Sequence, residues 1–209
     1  MKTFRKLIIS PHVDDEVIGC GGVLDKDSFV YYCGIDEANL PADPGHRVPL
    51  DERMGELAAV AKYLGFAHEV NMTTKVNFFT EQELIGAFER TIQTVKPDIV
   101  FLPHPGYNQD HRTVFQAAQI ALRPHDKNFF VKKVVVYEAI HDVLWSDRKL
   151  NPNYFVPIDI ERKLHANNLH VSQVRGMRDP EVMRALARVR GAMSNVEYAE
   201  AFEVLRWVE

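Results

Sequence analysis

The sequence predicts an α/β fold of Rossmann-like type, a mostly parallel sheet flanked by helices in a single domain with a C-terminal helical subregion. Three observations point there. Apolar runs of strand length alternate with segments of helical period through most of the chain. At 209 residues the chain is long enough for a full core without disulfide staples. Two clusters of polar, chemically active residues each follow directly on an apolar run, as βα loops do in such sheets.

The elements follow in order. "KLIIS" reads as a first buried strand and residues 14–26 as the helix after it, with "SFVYYCG" as the next strand. In "PLDERMGELAAVAKYLG" Leu57, Val60, Ala61 and Leu64 share one helical face and Gly65 supplies the stop. "AHEVNM" is a short strand. "TEQELIGAFERTIQTVK" is an amphipathic helix with Thr80 in the N-cap position, and Pro97 closes it. "DIVFLP" is a continuous apolar strand of the kind buried on both faces. The helix "DHRTVFQAAQIALR" and the strand "KKVVVYEA" come next. After Pro152 the pattern changes to the short extended "YFVPIDI" and two helical stretches, Ile160–Val174 and Pro180–Trp207.

Composition bounds the function. A net charge of −4 argues against a nucleic-acid surface, which needs a basic field. The apolar run near the N-terminus ends at Ser10, too short for a signal-peptide core or a membrane span. Cys20 and Cys33 form no C-x-x-C pair and read as buried, reduced thiols, so the expected location is cytoplasmic.

"PHVDDE", residues 11–16, raises the chemical question. Clustered ionised carboxylates repel and are costly to desolvate, and a divalent cation would supply the reason to gather them. His12 and Asp15 are three apart at a helix start and can point the same way. His111, at the head of a helix after another strand, can reach in as a third ligand. Two histidines, one carboxylate and a water is a known layout for catalytic zinc, and Asp14 beside it would be the general base. The plainer alternatives are helix N-terminal capping by the acidic residues and by Asp110, with His12 a hydrogen-bonded loop histidine. Mg²⁺-assisted phosphotransfer is a further alternative that two histidine ligands disfavour. "GCGG" lacks dinucleotide-fingerprint spacing, and Gly21 and Gly22 are read as letting the helix pack closely on the sheet. His46, His68, His125, His141, His165 and His170 have no partner motif and read as surface or core histidines. Tyr107 and Trp145 lie in loops where they could stack on a sugar ring but read first as packing residues. Glu138 reads equally as a group that positions an arginine or a sugar hydroxyl and as an ordinary surface salt bridge.

"PHVDDEVIGCGG" resembles the P-H-x-D-D-E…G-x-G-G signature of the PIG-L/LmbE family of zinc-dependent N-deacetylases. "NQDHR" is similar to that family's second motif, which ends in Asp-His. "ERMGELAAVAKYLG", "KLHANNLHVSQ" and "RVRGAMSNVEYAEAF" resemble later segments, so the likeness covers nearly all of residues 1–209. The resemblance implies an enzyme, a hydrolase of the acetamide of an N-acetylglucosamine-type conjugate. It implies zinc, with Fe²⁺ or Co²⁺ as alternatives, held by His12, Asp15 and His111, with Asp14 as base and Arg53 as a substrate-binding residue. It also implies a small-molecule amino-sugar partner and assembly into homo-oligomers. Many members carry a histidine three residues before the last ligand, where this chain has Asn108. Either Asn108 donates a hydrogen bond to the oxyanion, with Asp14 as both base and acid, or His104 enters the site from the preceding turn. Competing readings are an amidase on a thiol-sugar conjugate and a non-catalytic sugar-binding relative.

Overall fold

A computed structural model describes residues 4–37, 48–125 and 128–209; His46 lies outside the described residues. The strands are β1 (Lys6–Ser10), β2 (Ser28–Tyr32), β3 (Asp36–Glu37), β4 (Ala67–Val70), β5 (Lys75–Val76), β6 (Ile99–Pro103), β7 (Lys133–Tyr137), β8 (Tyr154–Pro157) and β9 (Ala199–Trp207). The helices are α1 (Asp15–Cys20), α2 (Leu50–Leu64), α3 (Glu81–Val95), α4 (Gln109–Ala121), α5 (Ile140–Trp145), α6 (Ile160–Asn168) and α7 (Pro180–Met193).

Seven strands form one sheet in the order β4-β2-β1-β6-β7-β9-β8, and β3 pairs with β5 separately. The first five are parallel, whereas β9 runs antiparallel to both β7 and β8. Both faces are covered. Leu7 and Ile9 of β1 join a cluster with Tyr31, Phe88, Leu102 and Val114. Ile8, between them, points the other way into a cluster with Tyr32, Leu57, Phe101 and Tyr137. That alternation, apolar on both sides, is why the strands read as continuous apolar runs. α3 begins on a side-chain cap in which the Thr80 hydroxyl accepts from the Glu83 amide and donates to the Glu83 carboxylate at 2.6 Å.

The C-terminal region corrects the expected all-helical ending. α7 stops at Met193, and the chain returns as β9, inserted between β7 and β8. A Cβ on Gly191 would fall 2.4 Å from the Glu197 carbonyl oxygen, so glycine lets the chain double back there. Asn195 takes the left-handed turn at φ 58°. "AEAFEVLRW" is rich in helix formers, but burying Phe202 beside β7 and Ala199 and Ala201 beside β8 overrides that propensity. The expected helix 160–174 likewise ends as α6 at Asn168, with a 3₁₀ turn at Val171–Gln173. α1 is also shorter than residues 14–26. Within it Gly19 makes a close approach to the sheet that the sequence did not single out, where a Cβ would lie 2.1 Å from the Tyr137 ring. Gly22, just past its end, also lies close, a Cβ there falling 2.2 Å from Ile158 and 3.1 Å from Glu200 of β9, whereas Gly21 faces Lys163 of α6. Cys20 and Cys33 are buried and free, and burial pushes both thiols up.

The order places β1 and β6 side by side, with β2 and β4 beyond β1 and β7 beyond β6. Chain direction across the sheet therefore reverses between β1 and β6, the point at which such sheets open a crevice beyond their carboxyl ends.

Candidate active site

The loop after β1 carries His12 and Asp14 and leads into α1 at Asp15, and the loop after β6 ends on Asn108, the cap of α4, whose first turn carries Asp110 and His111. One donor atom from each of His12, Asp15 and His111 lies within 4.8 Å of the others. Asp15 Oδ2 stands 3.1 Å from His12 Nδ1 and 3.2 Å from His111 Nε2. Asp110 Oδ2 lies 2.9 Å from His12 Nε2 and accepts from the Asn77 amide at 2.7 Å, so it braces the imidazole against the β5 turn. Burial disfavours the His12 cation, but Asp110 and Asp15 outweigh it and raise His12 to about 10. Burial acts against the Asp15 carboxylate too, and His111 and His12 nonetheless hold it well below its ordinary range.

Neither ring nitrogen of His111 makes a hydrogen bond within the described residues, although the side chain is fully buried. Its 3.2 Å approach to Asp15 is an ion-pair distance without hydrogen-bond geometry, and a buried imidazole so placed is costly. Ligands about 2.0–2.1 Å from a tetrahedral zinc stand roughly 3.4 Å from one another, near the spacings found here. Two imidazoles and a carboxylate therefore fit a zinc-class divalent ion.

Asp14 projects beside this group under strain. Its φ of 146° is a setting that side-chain-bearing residues rarely adopt. Glu16 holds the turn: its carboxylate accepts from the Asp14 amide at 2.9 Å, and its other oxygen lies 2.9 Å from Nε2 of the fully buried His170. Arg53 donates to the Val13 carbonyl and, at 2.9 Å, to Glu56, which in turn accepts from the Ser172 amide and hydroxyl. The R-x-x-E pair thus ties the Asp14 loop to the 3₁₀ turn after α6. Arg178 approaches Asp14 Oδ2 at 3.1 Å.

Asn108 is the N-cap of α4, its Oδ1 accepting from the Asp110 amide at 2.8 Å. With the carbonyl oxygen engaged, its NH₂ is the end left to donate. Asn108 lines both lobes of the cleft, as do His12, Arg175 and Arg178. The first lobe, about 230 Å³, is also lined by the buried Asp14 and Arg53. The second, about 460 Å³, runs past Asp15 and His111 to Tyr107 and Trp145. Tyr107 and Trp145 are 44% and 69% exposed and their rings are 6.1 Å apart, correcting their reading as packing residues. They ride on the segments after β6 and β7, at the open end of the cleft.

His104 lines neither lobe. It is buried behind the site, its Nδ1 3.5 Å from Asp142 Oδ2. Glu138 takes an arginine in a two-point ion pair with Arg190, at 2.8 and 2.6 Å. His141 and Asp142, which no motif singles out, stand against His111. Their approach depends on α5 folding over the β6 loop, which local sequence does not signal.

The PIG-L family model, described as GlcNAc-PI de-N-acetylase, matches residues 7–122. No curated protein matches the chain. Among solved structures, a conserved protein from Thermus thermophilus is 21% identical with TM-score 0.78, covering 99% of this chain and 97% of that one. The GalB 4-carboxy-2-hydroxymuconate hydratase from Pseudomonas putida is 20% identical with TM-score 0.76, covering 99% of each chain. The N,N'-diacetylchitobiose deacetylase from Pyrococcus horikoshii is 24% identical with TM-score 0.70, covering 97% of this chain and 84% of that one. These likenesses establish the shared fold.

Proposed function

The chain belongs to the PIG-L family, and from that premise we propose that it is a divalent-metal-dependent N-deacetylase, hydrolysing the acetamide of an N-acetylglucosamine-type conjugate to free amine and acetate. The observation that carries the reading is the convergence of His12, Asp15 and His111 at the carboxyl ends of β1 and β6, with strained Asp14 alongside.

His12, Asp15 and His111 hold the ion, with zinc favoured by two imidazole ligands. When bound, zinc would polarise the amide carbonyl and lower the pKa of a water to about 7. Asp14 takes the proton from the attacking water and passes it to the departing amine. Asn108, its Oδ1 engaged as the helix cap, donates from its NH₂ to the developing oxyanion. Asp110 fixes the His12 ring through Nε2. Arg53 lines the first lobe and steadies the Asp14 loop, and Tyr107 and Trp145 offer apolar faces for a sugar ring at the second. The buried free thiols accord with a reducing, cytoplasmic setting.

The test is a panel of N-acetyl sugars, from free N-acetylglucosamine to its glycosides and its nucleotide- and lipid-linked forms, with and without added zinc. Acetate and free amine released together, only with metal, support the proposal. Release of a larger acyl group would shift the reading to an amidase. Silence from metal-loaded protein would refute deacetylation of these sugars. A hydratase, the activity in the printed name of the Pseudomonas structure, would release no acetate at all.

A further inference from the structure

Beside the ligand set lies a second group of side chains that the mechanism above does not use. Asp142 is 2% exposed, and neither of its carboxylate oxygens accepts a hydrogen bond within the described residues. A buried carboxylate without donors is costly. It is pressed against Gly106, where a Cβ would fall 1.5 Å from its Oδ1, so the β6 loop has been kept bare to admit it. Its nearest side-chain nitrogens are His141 Nε2, 3.7 Å from Oδ1, and His104 Nδ1, 3.5 Å from Oδ2. Both nitrogens are themselves buried and without a hydrogen bond among the described residues. The His111 ring lies 5.1 Å from that of His141, edge to face. One donor atom from each of His111, His141 and Asp142 falls within 4.8 Å of the other two.

Nitrogen-to-oxygen gaps of this length are too wide for hydrogen bonds. The 3.7 Å between His141 Nε2 and Asp142 Oδ1 is near the roughly 3.4 Å that separates two donors on one tetrahedral zinc. His141 and Asp142, each with a buried polar atom that lacks a hydrogen bond among the described residues, stand beside His111, and one cation shared with that imidazole explains them together.

We propose that His111, His141 and Asp142 form a second divalent-cation site, with His104 facing the other oxygen of Asp142 at 3.5 Å. Two imidazoles and one carboxylate select a zinc-class ion over Mg²⁺ or Ca²⁺, which prefer all-oxygen shells. His111 belongs also to the set assigned above, and to that extent the inference rests on the proposed function. Both ions draw on the one imidazole of His111, so filling the second site loosens its hold on the first ion, and zinc in excess of the first equivalent inhibits.

The test titrates metal-free full-length protein with Zn²⁺ and measures bound metal by equilibrium dialysis, alongside acetate release on whichever panel sugar is turned over. The wild type takes up a second ion, and both His141→Ala and the isosteric Asp142→Asn stop at one, with circular dichroism confirming their folding. His12→Ala retains an ion that the added His141→Ala change removes. The ratio of activity in excess zinc to activity at one equivalent falls below one in the wild type and returns toward one in His141→Ala. A wild type that binds a single ion, kept in His141→Ala and lost in His12→Ala, overturns the second site and leaves the first standing. A chain that binds no zinc overturns both. An activity ratio that His141→Ala does not change overturns the competition for His111.

Discussion

Exchanging Asp14 separates its chemistry from its backbone. At φ 146° a residue with a Cβ carries a strain of about 1–3 kcal/mol. Asp14→Gly removes that strain, whereas Asp14→Ala keeps it. Both variants lose the carboxylate and its 3.1 Å contact with Arg178, so that contribution cancels when the two are compared. Glycine gives back about 0.5–1 kcal/mol through the greater freedom of its unfolded chain. The difference leaves Asp14→Gly more stable than Asp14→Ala by about 1 kcal/mol, or roughly 2–4 °C in Tm for a chain of this size. The assay is thermal unfolding of both metal-loaded proteins by circular dichroism, with acetate release on the same samples. Both should keep their metal and lose turnover by about 10²–10⁴-fold, the usual scale of general acid–base catalysis. Asp14→Ala emerging as the more stable of the two would refute the strain, and turnover surviving in either would refute Asp14 as the base.

Other outcomes follow from the same geometry. Asn108→Ala loses the cap on α4 and should cost about 1 kcal/mol as well as turnover, whereas Asn108→Asp restores the acceptor but not the donor; denaturation and kcat on the pair should therefore part company, and parallel recovery would contradict the oxyanion role. Gly19→Ala drives a methyl into the Tyr137 ring and should destabilise by about 1–3 kcal/mol in urea unfolding, a neutral result being inconsistent with the packing of α1 on β7. In the metal-free protein His12 is raised to about 10 from 6.5, so its contribution to stability is complete below about pH 6.5 and is lost as pH rises toward 10. Zinc must displace that proton, so zinc affinity measured by competition with a chelator should rise between about pH 6 and 9, and a flat profile would contradict His12 as a ligand.

Much of this was legible because burial and chemistry left local marks. β1, β6 and β7 show as apolar runs since both faces of the sheet are covered, and α3 shows through its period and its Thr80 cap. His12, Asp15 and His111 could be grouped because each follows a strand directly, which brings them to one end of the sheet. β9 was hidden, its Ala, Glu, Leu and Arg favouring a helix until the gap between β7 and β8 is known. The strain at Asp14 is a backbone property imposed by Glu16, His170 and Arg53, which are distant in sequence or read as plain polar residues. His141 and Asp142 escaped for a related reason: a short α5 brings them to His111, and a lone histidine beside an aspartate carries no spacing signal.

The most direct test is an anomalous-scattering map at the zinc edge, from crystals of protein already shown to release acetate with one equivalent of zinc. The account predicts a peak among His12, Asp15 and His111 with Asp14 beside it. An active sample without zinc at that position would contradict it.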